Sequence, residues 1–389
     1  MSLNILIIGT GMYVCGRKTN GFGTILPALI DFNKKYNNII IWIASRSKNS
    51  SKELINKLSI LQKDMGTNFS VNTLSDEECN EASYLNILKK IKNNFSCAIV
   101  CTPDHTHFEI TSELIKNNIP TLVVKPLAPT LKEVKNLISL QEKYKTYGVV
   151  EFHKRFDQSN ILLKNTLLSN EIGKPLSFLV EYSQKKIVPE KIFEGWVNNT
   201  NIFQYLGIHY VDIIYYATNA TPKRVMAIGQ KCYLESKGID NYDSIQCMVE
   251  WDMDGHSFSS LFTTNWIDPD KTTAMSDQKI KVIGTKGRYE ADQKYRGIKI
   301  INENINEEPN PDFCSFYLGD DMKKHVKGYG ITSIQTFLTD VISLKNKSTN
   351  IEILERSRPT FRQSIIPTMV IEAANQSLSE NGNWITIGE

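Results

Sequence analysis

A short glycine segment near the start of the chain has the spacing of a phosphate-binding turn. Gly9-Thr10-Gly11 directly follows the first apolar run. A Gly-x-Gly at the end of a buried strand permits a tight turn and lets the backbone approach a pyrophosphate, while the next helix supplies N–H groups. The usual third glycine is replaced by Val14. We therefore interpret residues 12–23 as a loop insertion in which Gly21 or Gly23 is the close-packing glycine before the helix.

The segment Ser45-Arg46-Ser47-Lys48 follows the second apolar run. An acidic residue here accepts a hydrogen bond from the ribose 2′-OH of NAD. Ser45 and Arg46 can instead bind a 2′-phosphate by a hydrogen bond and a guanidinium fork. This pattern favours NADP(H) over NAD(H), the alternative being ordinary surface charge. Arg17 and Lys18 of the insertion can contact phosphate or substrate, or belong to a solvated loop.

Hydride transfer at a carbinol carbon also needs a proton donor or acceptor and a group that stabilises negative charge on oxygen. Lys125 follows a buried strand, where ligands bind in open α/β sheets. His209 can transfer a proton near neutral pH, and Asp212, three residues on, lies on the same helical face. A lone histidine in an apolar helix is also typical of a core, so spacing alone leaves the role of His209 open.

The elements that must position these residues alternate between strand and helix in the first 150 residues. Apolar runs predict strands at 4–8, 38–44, 71–74, 97–101, 121–124 and 148–152, and helical spacing predicts helices at 24–36, 50–62, 83–93, 107–117 and 130–144. Such alternation predicts an α/β dinucleotide-binding Rossmann domain with a doubly wound parallel sheet over residues 1–150.

The pattern changes after about residue 152, where strands follow one another with few helices between them. Strands are predicted at 176–183, 223–228, 245–251, 257–264, 280–284, 287–291 and 297–301, and helices at 202–217, 331–344 and 359–378. Short connections predict an open, mostly antiparallel mixed sheet. Residues 151–389 are therefore expected to form an α+β domain for substrate binding and oligomerisation, with helix 359–378 packing back toward the first domain.

Composition excludes several classes of protein. The 389 residues suggest about two domains, and 41% hydrophobic with 22% charged residues is an ordinary globular mix, unlike disordered or fibrous chains. The net charge of +3 is too balanced to indicate a nucleic-acid partner. The longest apolar runs fall far short of the roughly 20 residues of a membrane span.

We expect the protein to lie in the cytoplasm. We also expect it to bind no metal. The first residues lack the basic region of a secretory signal. Seven dispersed cysteines with no Cys-x-x-Cys pair are typical of reduced cytosolic thiols. The six histidines show no metal-ligand spacing with cysteine or acidic residues.

Several motifs occur along the chain in a fixed order. They are Cys101-Thr102-Pro103-Asp104-His105-Thr106-His107, Lys125-Pro126-Leu127-Ala128, Gly207-Ile208-His209-Tyr210-Val211-Asp212, Gly284-Thr285-Lys286-Gly287, Arg358-Pro359-Thr360, Glu372-Ala373-Ala374 with Ser377, and Gly382-Asn383-Trp384. In order and spacing the whole chain resembles the glucose-fructose oxidoreductase / inositol dehydrogenase / rhizopine catabolism (Gfo/Idh/MocA) family. The resemblance implies a Rossmann domain joined to an open mixed-sheet domain. It also implies nicotinamide-dependent hydride transfer to or from a sugar, sugar derivative or nucleotide-sugar.

The resemblance assigns expected roles to individual residues. Lys125 is expected to stabilise an alkoxide and His209 to transfer the proton. The expected cofactor contacts are Gly9, Gly11, Met12, Ser45, Arg46, Thr102, Pro103, His107 and Lys125. The expected substrate contacts are His153, Arg155, Asp212 and Trp196, with an interdomain salt bridge as the alternative for His153 and Arg155. Trp196, Asn265 and Trp266 can line a sugar pocket or pack in the core.

Two positions depart from the family pattern. Tyr205 stands four residues before His209, where many members carry Asp, and its phenol can complete the catalytic site or merely fill it. Val124 stands where Glu usually precedes the lysine. These changes motivate an alternative, a non-catalytic dinucleotide-binding or regulatory protein with the same fold. A weaker third possibility is a reductase acting on a non-sugar substrate.

An open sheet leaves one apolar face that a second subunit can cover. We therefore expect a homodimer or homotetramer.

Overall fold

The computed structural model describes residues 2–45, 48–75, 83–90, 95–304 and 306–388. These residues form two compact units, 1–153 with 312–364 and 154–311 with 365–389. The first change of unit lies near the expected boundary at residue 150. Residues 312–364 differ from the expectation, because they group with the first unit.

The described elements are numbered along the chain. The strands are β1 Leu3–Ile8, β2 Ile39–Ser45, β3 Ser70–Ser75, β4 Cys97–Val100, β5 Thr121–Val124, β6 Gly148–Glu151, β7 Pro175–Lys185, β8 Thr221–Gln230, β9 Ser244–Met253, β10 His256–Asp268, β11 Ser276–Gly284, β12 Arg288–Asp292, β13 Ile300–Ile301, β14 Asn306–Glu307, β15 Ser315–Leu318, β16 Lys324–Lys327 and β17 Ile385–Thr386. The α-helices are α1 Met12–Cys15, α2 Ile25–Tyr36, α3 Lys48–Met65, α4 Ser83–Lys90, α5 His107–Lys116, α6 Leu131–Tyr144, α7 Gln158–Leu168, α8 Ile208–Thr218, α9 Tyr233–Ser236, α10 Tyr329–Lys345, α11 Ile351–Glu355 and α12 Ile365–Ser379.

The first unit contains a six-stranded parallel sheet in the order β3-β2-β1-β4-β5-β6. This is the strand order of a doubly wound dinucleotide-binding fold, so the predicted Rossmann architecture is confirmed. The strands are almost continuously apolar because helices cover both faces of such a sheet. The carboxyl ends of β1, β4 and β5 meet at one edge, where the order reverses and ligands bind.

The returning segment completes the core of the first unit. Helix α10 packs against α2, and its buried residues Ile331, Ile334, Phe337 and Leu338 lie in the same apolar cluster as β1 and β2. Their spacing of three to four residues gives α10 one apolar face. Burial of this face explains why residues 312–364 belong to the first unit.

The second unit contains a seven-stranded sheet in the order β12-β11-β7-β10-β9-β8-β17. Only the β7–β10 pair is parallel among its described pairings, which confirms the predicted mostly antiparallel mixed sheet. Alternate residues of β9 point into the core, as the period of a half-buried strand requires. Helix α12 packs on β8 and α8, leaving the other sheet face exposed.

Four elements differ from their predicted form. The insertion begins with a helix, α1, because Met12–Cys15 is too short to show helical periodicity. The strand predicted at 297–301 is limited to Ile300–Ile301. The helix predicted at 202–217 begins with a π-helical turn, Phe203–Gly207. The helix predicted at 359–378 divides into a 3₁₀ turn, Phe361–Ser364, in the first unit and α12 in the second.

Within the described ranges, every helix is too short or too polar to span a lipid bilayer.

Candidate active site

Gly9 and Gly11 shape the turn after β1. Gly9 has a φ of +102°, and a Cβ there would lie 2.2 Å from the carbonyl oxygen of Cys101. Only glycine fits this turn without strain. A Cβ at Gly11 would meet no atom within 4 Å among the described residues. The loop is therefore closely packed at Gly9 and open at Gly11. The open space at Gly11 suits the close approach of a phosphate group.

Gly23 is the close-packing glycine of the insertion. Its φ is +71°, and a Cβ would lie 2.6 Å from the carbonyl carbon of Val14. A Cβ at Gly21 would meet only the Thr19 side chain, at 3.6 Å. Of the two candidates that the sequence offered, Gly23 is the one that needs to lack a side chain.

Lys57 of α3 holds the rest of the insertion in place. Its Nζ donates hydrogen bonds to the carbonyl oxygens of Gly16, Thr19 and Gly21 at 2.6, 2.9 and 2.8 Å. Arg17 lies 3.7 Å from Glu53 in a half-exposed ion pair. The insertion is therefore an ordered loop anchored to α3.

Ser45 ends β2 with a fully buried side chain. Its hydroxyl hydrogen-bonds the hydroxyl of Ser51 in α3. Arg46, the other half of the predicted 2′-phosphate site, lies outside the described residues.

His107 connects the loops that follow β4 and β5. Its ring is fully buried, with Nδ1 2.7 Å from the carbonyl oxygen of Pro126 and Nε2 2.8 Å from that of Thr102. Burial lowers the pKa of the ring, against the nearby charge of Asp104. His107 was expected to contact the cofactor. Its two ring nitrogens link the two loops, and the cofactor contact stays a prediction.

Lys125 lies at the carboxyl end of the sheet, directly after β5. Its side chain is partly buried, and burial lowers its pKa to about 8, while the carboxylates of Asp104 and Glu151 act in the opposite direction. Both acids are at least 95% buried. The sequence analysis missed them, although an acidic residue ending an apolar strand is a signal that could have found Glu151.

His153 pairs with Glu151 in the first unit. Its Nδ1 lies 2.7 Å from Glu151 Oε2, and its ring stacks on Tyr13 and Tyr329 with centroids 6.1 and 5.8 Å apart. Tyr13 follows Met12 in α1, at the dinucleotide turn. Glu151, His153 and Tyr13 therefore form a buried cluster at the ligand-binding edge of the sheet.

In the second unit, α8 carries His209. A Cβ at Gly207 would lie 2.2 Å from the ring of Phe203, so the π-helical turn before α8 requires glycine. The His209 side chain is almost fully buried, and its ring centroid lies 6.5 Å from that of Tyr182. Short π-helical turns are frequent at functional sites.

Arg155 and Asp212 were predicted to contact substrate. The structure pairs the two side chains, with Arg155 Nε and Nη2 donating to Asp212 at 2.9 and 2.6 Å, and their contact with substrate stays a prediction. Both side chains are buried and both lie in the second unit. The pair is thus neither solvent-exposed nor interdomain. It holds the start of this unit against α8.

Aromatic rings surround Tyr205. Phe193 lies 4.7 Å from Tyr205 and 4.2 Å from Trp196, centroid to centroid. Trp266 is fully buried, and its Nε1 donates to Gln184 Oε1 at 3.2 Å. Trp266 is thus a core residue, whereas Trp196 is only partly buried.

Asn265 donates to the Ser183 hydroxyl at 2.6 Å, across β7 and β10. In the part of the chain that the structure describes, no group of three or more His, Cys, Asp or Glu side chains is placed to hold a metal ion.

Two family descriptions match most of the chain. Residues 3–152 match the oxidoreductase family with an NAD-binding Rossmann fold, and residues 161–290 match the GFO/IDH/MocA C-terminal domain. The chain belongs to the Gfo/Idh/MocA family. The suspected resemblance is thereby confirmed, and the first unit is an NAD-binding Rossmann fold.

Curated members of the Gfo/Idh/MocA family share limited identity with this chain. Inositol 2-dehydrogenase from Rubrobacter xylanophilus is 26% identical over 27% of this chain and 26% of its own length. Glucose-6-phosphate 3-dehydrogenase from Bacillus subtilis is 26% identical over 30% and 35%. The chain thus matches about a quarter to a third of the length of these two relatives. Myo-inositol 2-dehydrogenase from Thermotoga maritima is 23% identical over 64% of this chain and 70% of the relative.

Solved Gfo/Idh/MocA structures share the whole fold. Scyllo-inositol dehydrogenase from Lactobacillus casei, with bound NAD(H) and scyllo-inositol, has a TM-score of 0.68 and 13% identity over 99% of both chains. GenD2 from gentamicin A biosynthesis, in complex with NAD, has a TM-score of 0.69 and 14% identity, covering 100% of this chain and 97% of its own. At 13% and 14% identity, this structural similarity shows that the fold is shared.

Proposed function

We propose that this protein is an NAD(P)-dependent dehydrogenase or reductase acting on a CH–OH group of an inositol, sugar, sugar derivative or nucleotide-sugar. The observation that carries the proposal is Lys125, a partly buried amine with its pKa lowered to about 8 at the same sheet edge as the Gly9–Gly11 turn. Membership of an oxidoreductase family and relatives named inositol and glucose-6-phosphate dehydrogenases support the substrate class.

In this proposal a bound nicotinamide ring supplies or accepts the hydride, and the chain handles the proton. Gly9 and Gly11 hold the pyrophosphate. With a pKa near 8, Lys125 has both forms populated near neutral pH. Its ammonium stabilises negative charge on the substrate oxygen in both directions. In the roles that the resemblance implies, His209 transfers the carbinol proton with Tyr205, and His153 and Trp196 contact the substrate.

Substitution of Lys125 tests this assignment. A panel of inositols, hexoses, hexose phosphates and nucleotide-sugars is screened with NAD⁺ and NADP⁺ by absorbance of the reduced cofactor. Lys125→Ala should lower kcat by roughly 10²–10⁴-fold, whereas Lys116→Ala, at an exposed position on α5, should leave kcat unchanged. An unchanged kcat in Lys125→Ala would contradict the assignment. Tight cofactor binding with no turnover of any panel member would favour the non-catalytic alternative.

We also propose a preference for NADP(H) over NAD(H), carried by Arg46. A guanidinium binds a 2′-phosphate as a fork, and no carboxylate stands in Ser45-Arg46-Ser47-Lys48 to repel it. Dissociation constants for NADPH and NADH are compared in the unmodified protein and in Arg46→Asp. NADPH should bind more tightly, and Arg46→Asp should reverse the order. Tighter binding of NADH by the unmodified protein would contradict the preference.

The exposed face of the second sheet supports the expected homo-oligomer. Leu179 of β7 and Leu261 of β10 are register partners on this face, 42% and 36% exposed, and Met248 and Met226 continue the row on β9 and β8. We propose that a second copy of the chain covers this row. The cytoplasmic location stays a prediction.

A further inference from the structure

Glu151 is a buried carboxylate that the proposed chemistry does not yet use. It ends β6 with only 2% of its surface exposed. One oxygen, Oε2, accepts from His153 Nδ1 at 2.7 Å. The other, Oε1, has no hydrogen-bond partner of ordinary geometry among the described residues. Burying a carboxylate is costly to stability even when it is paired, so this position points to a role other than packing.

The sheet register places Glu151 beside the lysine segment. Glu151 is the parallel partner of Val124, the residue directly before Lys125. Paired residues on neighbouring strands lie about 5 Å apart and share one face of the sheet. Glu151 is one of two carboxylates whose charge acts on Lys125, the other and stronger being Asp104.

Tyr13, which lies in α1 just after the Gly9–Gly11 turn, is also close to the Glu151 carboxylate. The Tyr13 ring stacks on His153, and its buried hydroxyl hydrogen-bonds the Glu151 side chain. Burial and the charge of Glu151 raise the pKa of Tyr13. The titratable groups near Glu151 are therefore Tyr13 from α1, Cys101 after β4, Lys125 after β5, and His153 after β6, with Cys314 also near Tyr13.

We propose that Glu151 is the positioning residue of the active site, and that its single buried carboxylate both orients the His153 imidazole and supplies negative charge to Lys125. This inference rests on the proposed function. Acceptance from His153 Nδ1 fixes the tautomer and leaves Nε2 as the acceptor of the neutral ring. Because Val124 brings no charge to the lysine, the carboxylate comes from the neighbouring strand instead.

The charge role is tested without substrate. Reductive ¹³C-methylation labels the lysines, Lys125→Arg identifies the Lys125 resonance by its absence, and an NMR titration gives the Lys125 pKa. Glu151→Gln should lower that pKa by about one pH unit, since an opposite charge nearby favours the ammonium. Asp340→Asn is the matched control. Asp340 is also buried in the first unit, bound by Tyr147 and Arg358, and its loss should leave the Lys125 pKa unchanged.

Moving the carboxylate to the neighbouring strand distinguishes an effect of its charge on the Lys125 pKa from an effect of the substitution on folding. Val124→Glu combined with Glu151→Gln moves the acid across one pair of strands and should return the Lys125 pKa toward its original value. A Lys125 pKa that is the same in Glu151→Gln and in the unmodified protein would overturn the charge role.

The orienting role is tested in the unmodified protein, so it does not depend on the folding of any variant. Imidazole ¹⁵N shifts should show a proton on His153 Nδ1, and an unprotonated Nδ1 would overturn this role. None of these readouts uses turnover. The inference can therefore fail while dehydrogenase activity is present, and the proposed function can fail while the Lys125 pKa still responds to Glu151.

Discussion

At the scale of single residues, Gly9 and Gly11 stand two positions apart and have different reasons to be glycine. Gly9 needs a left-handed φ of +102° and faces the Cys101 carbonyl oxygen. Gly11 has a φ of −77°, which any residue adopts, and its missing Cβ faces open space. The fold therefore requires Gly9, whereas no contact among the described residues requires glycine at position 11, and we expect a bound ligand to require it.

We expect Gly9→Ala and Gly11→Ala to separate folding from binding. Gly9→Ala should lower the free energy of unfolding by about 3 kcal/mol because the added Cβ overlaps backbone. Gly11→Ala should unfold at the same denaturant midpoint as the unmodified protein and lose cofactor affinity by about tenfold or more. Denaturant unfolding and cofactor titration of both variants check this, and unchanged cofactor affinity in Gly11→Ala would place the pyrophosphate elsewhere.

Burial of Lys125 makes stability depend on pH in a defined window. Its folded pKa of about 8 lies below the reference value of 10.5, so the unfolded chain binds more protons between these values. The free energy of unfolding therefore gains a contribution that rises from pH 8 to about 10.5 and is flat below pH 8.

In Lys125→Met this rising contribution should disappear, while Lys116→Met on the surface should retain it. Denaturant midpoints at several pH values from 7 to 10 measure the difference between each variant and the unmodified protein. Parallel curves for Lys125→Met and the unmodified protein would show that the pKa of Lys125 is not lowered in the folded state.

Residue types and spacing identified Lys125 and His209 as candidates, because motifs are local in sequence. The partners of charged residues were harder to predict. Asp212 lies three residues from His209 and was expected beside it, yet it binds Arg155, 57 positions away. Glu151 becomes visible as a neighbour of the lysine only through the register of β5 and β6. Such pairings depend on tertiary contacts that no sequence period encodes.

At the scale of elements, the insertion after α1 depends on one lysine from α3. Lys57 Nζ donates to three carbonyl oxygens of the loop, so a single charged group satisfies backbone acceptors that would otherwise need water. Loop order beside the dinucleotide turn is therefore set by a neighbouring helix.

Lys57→Ala should loosen this loop. We expect amide hydrogen exchange of residues 16–23 to accelerate by about tenfold, since losing hydrogen bonds to a charged donor costs at least 1 kcal/mol. Exchange in β4 and β5 should not change. Lys52→Ala, at an exposed position on the same helix, serves as the control. Equal exchange rates in both variants would mean that the loop is held by its own turns.

Long elements with clear periodicity were predicted well, and short ones were not. Six parallel strands and the long helices between them follow from apolar runs and spacing. Helix α1 has only four residues, and the π-helical turn at Phe203–Gly207 has the composition of an ordinary helix. At α1 and at the π-helical turn, close contacts of glycine determine the backbone geometry. The hydrophobic periodicity of the sequence carries no information about such contacts.

At the scale of the whole molecule, the apolar row on the second sheet should control assembly. The row joins Met226, Met248, Leu261 and Leu179 across four adjacent strands. Monomeric proteins seldom expose a continuous patch of this kind. A symmetric pairing of two such faces would bury the row on both copies.

Leu179→Glu with Leu261→Glu should convert the oligomer to a monomer, because two buried carboxylates per copy would face their symmetry mates. Size-exclusion chromatography with light scattering measures the mass. Leu318→Glu, at a 60% exposed position on β15, should leave the mass unchanged. An unmodified protein that is monomeric at micromolar concentration would contradict the proposal.

The return of residues 312–364 to the first unit has a consequence for biosynthesis. A ribosome makes the chain from its N-terminus, yet α10 and the segment up to Ser364 are needed to complete the dinucleotide-binding core. Part of the apolar surface of the nascent first unit therefore stays uncovered until residue 364 has been translated. A premature stop codon anywhere before position 364 leaves both units unfinished.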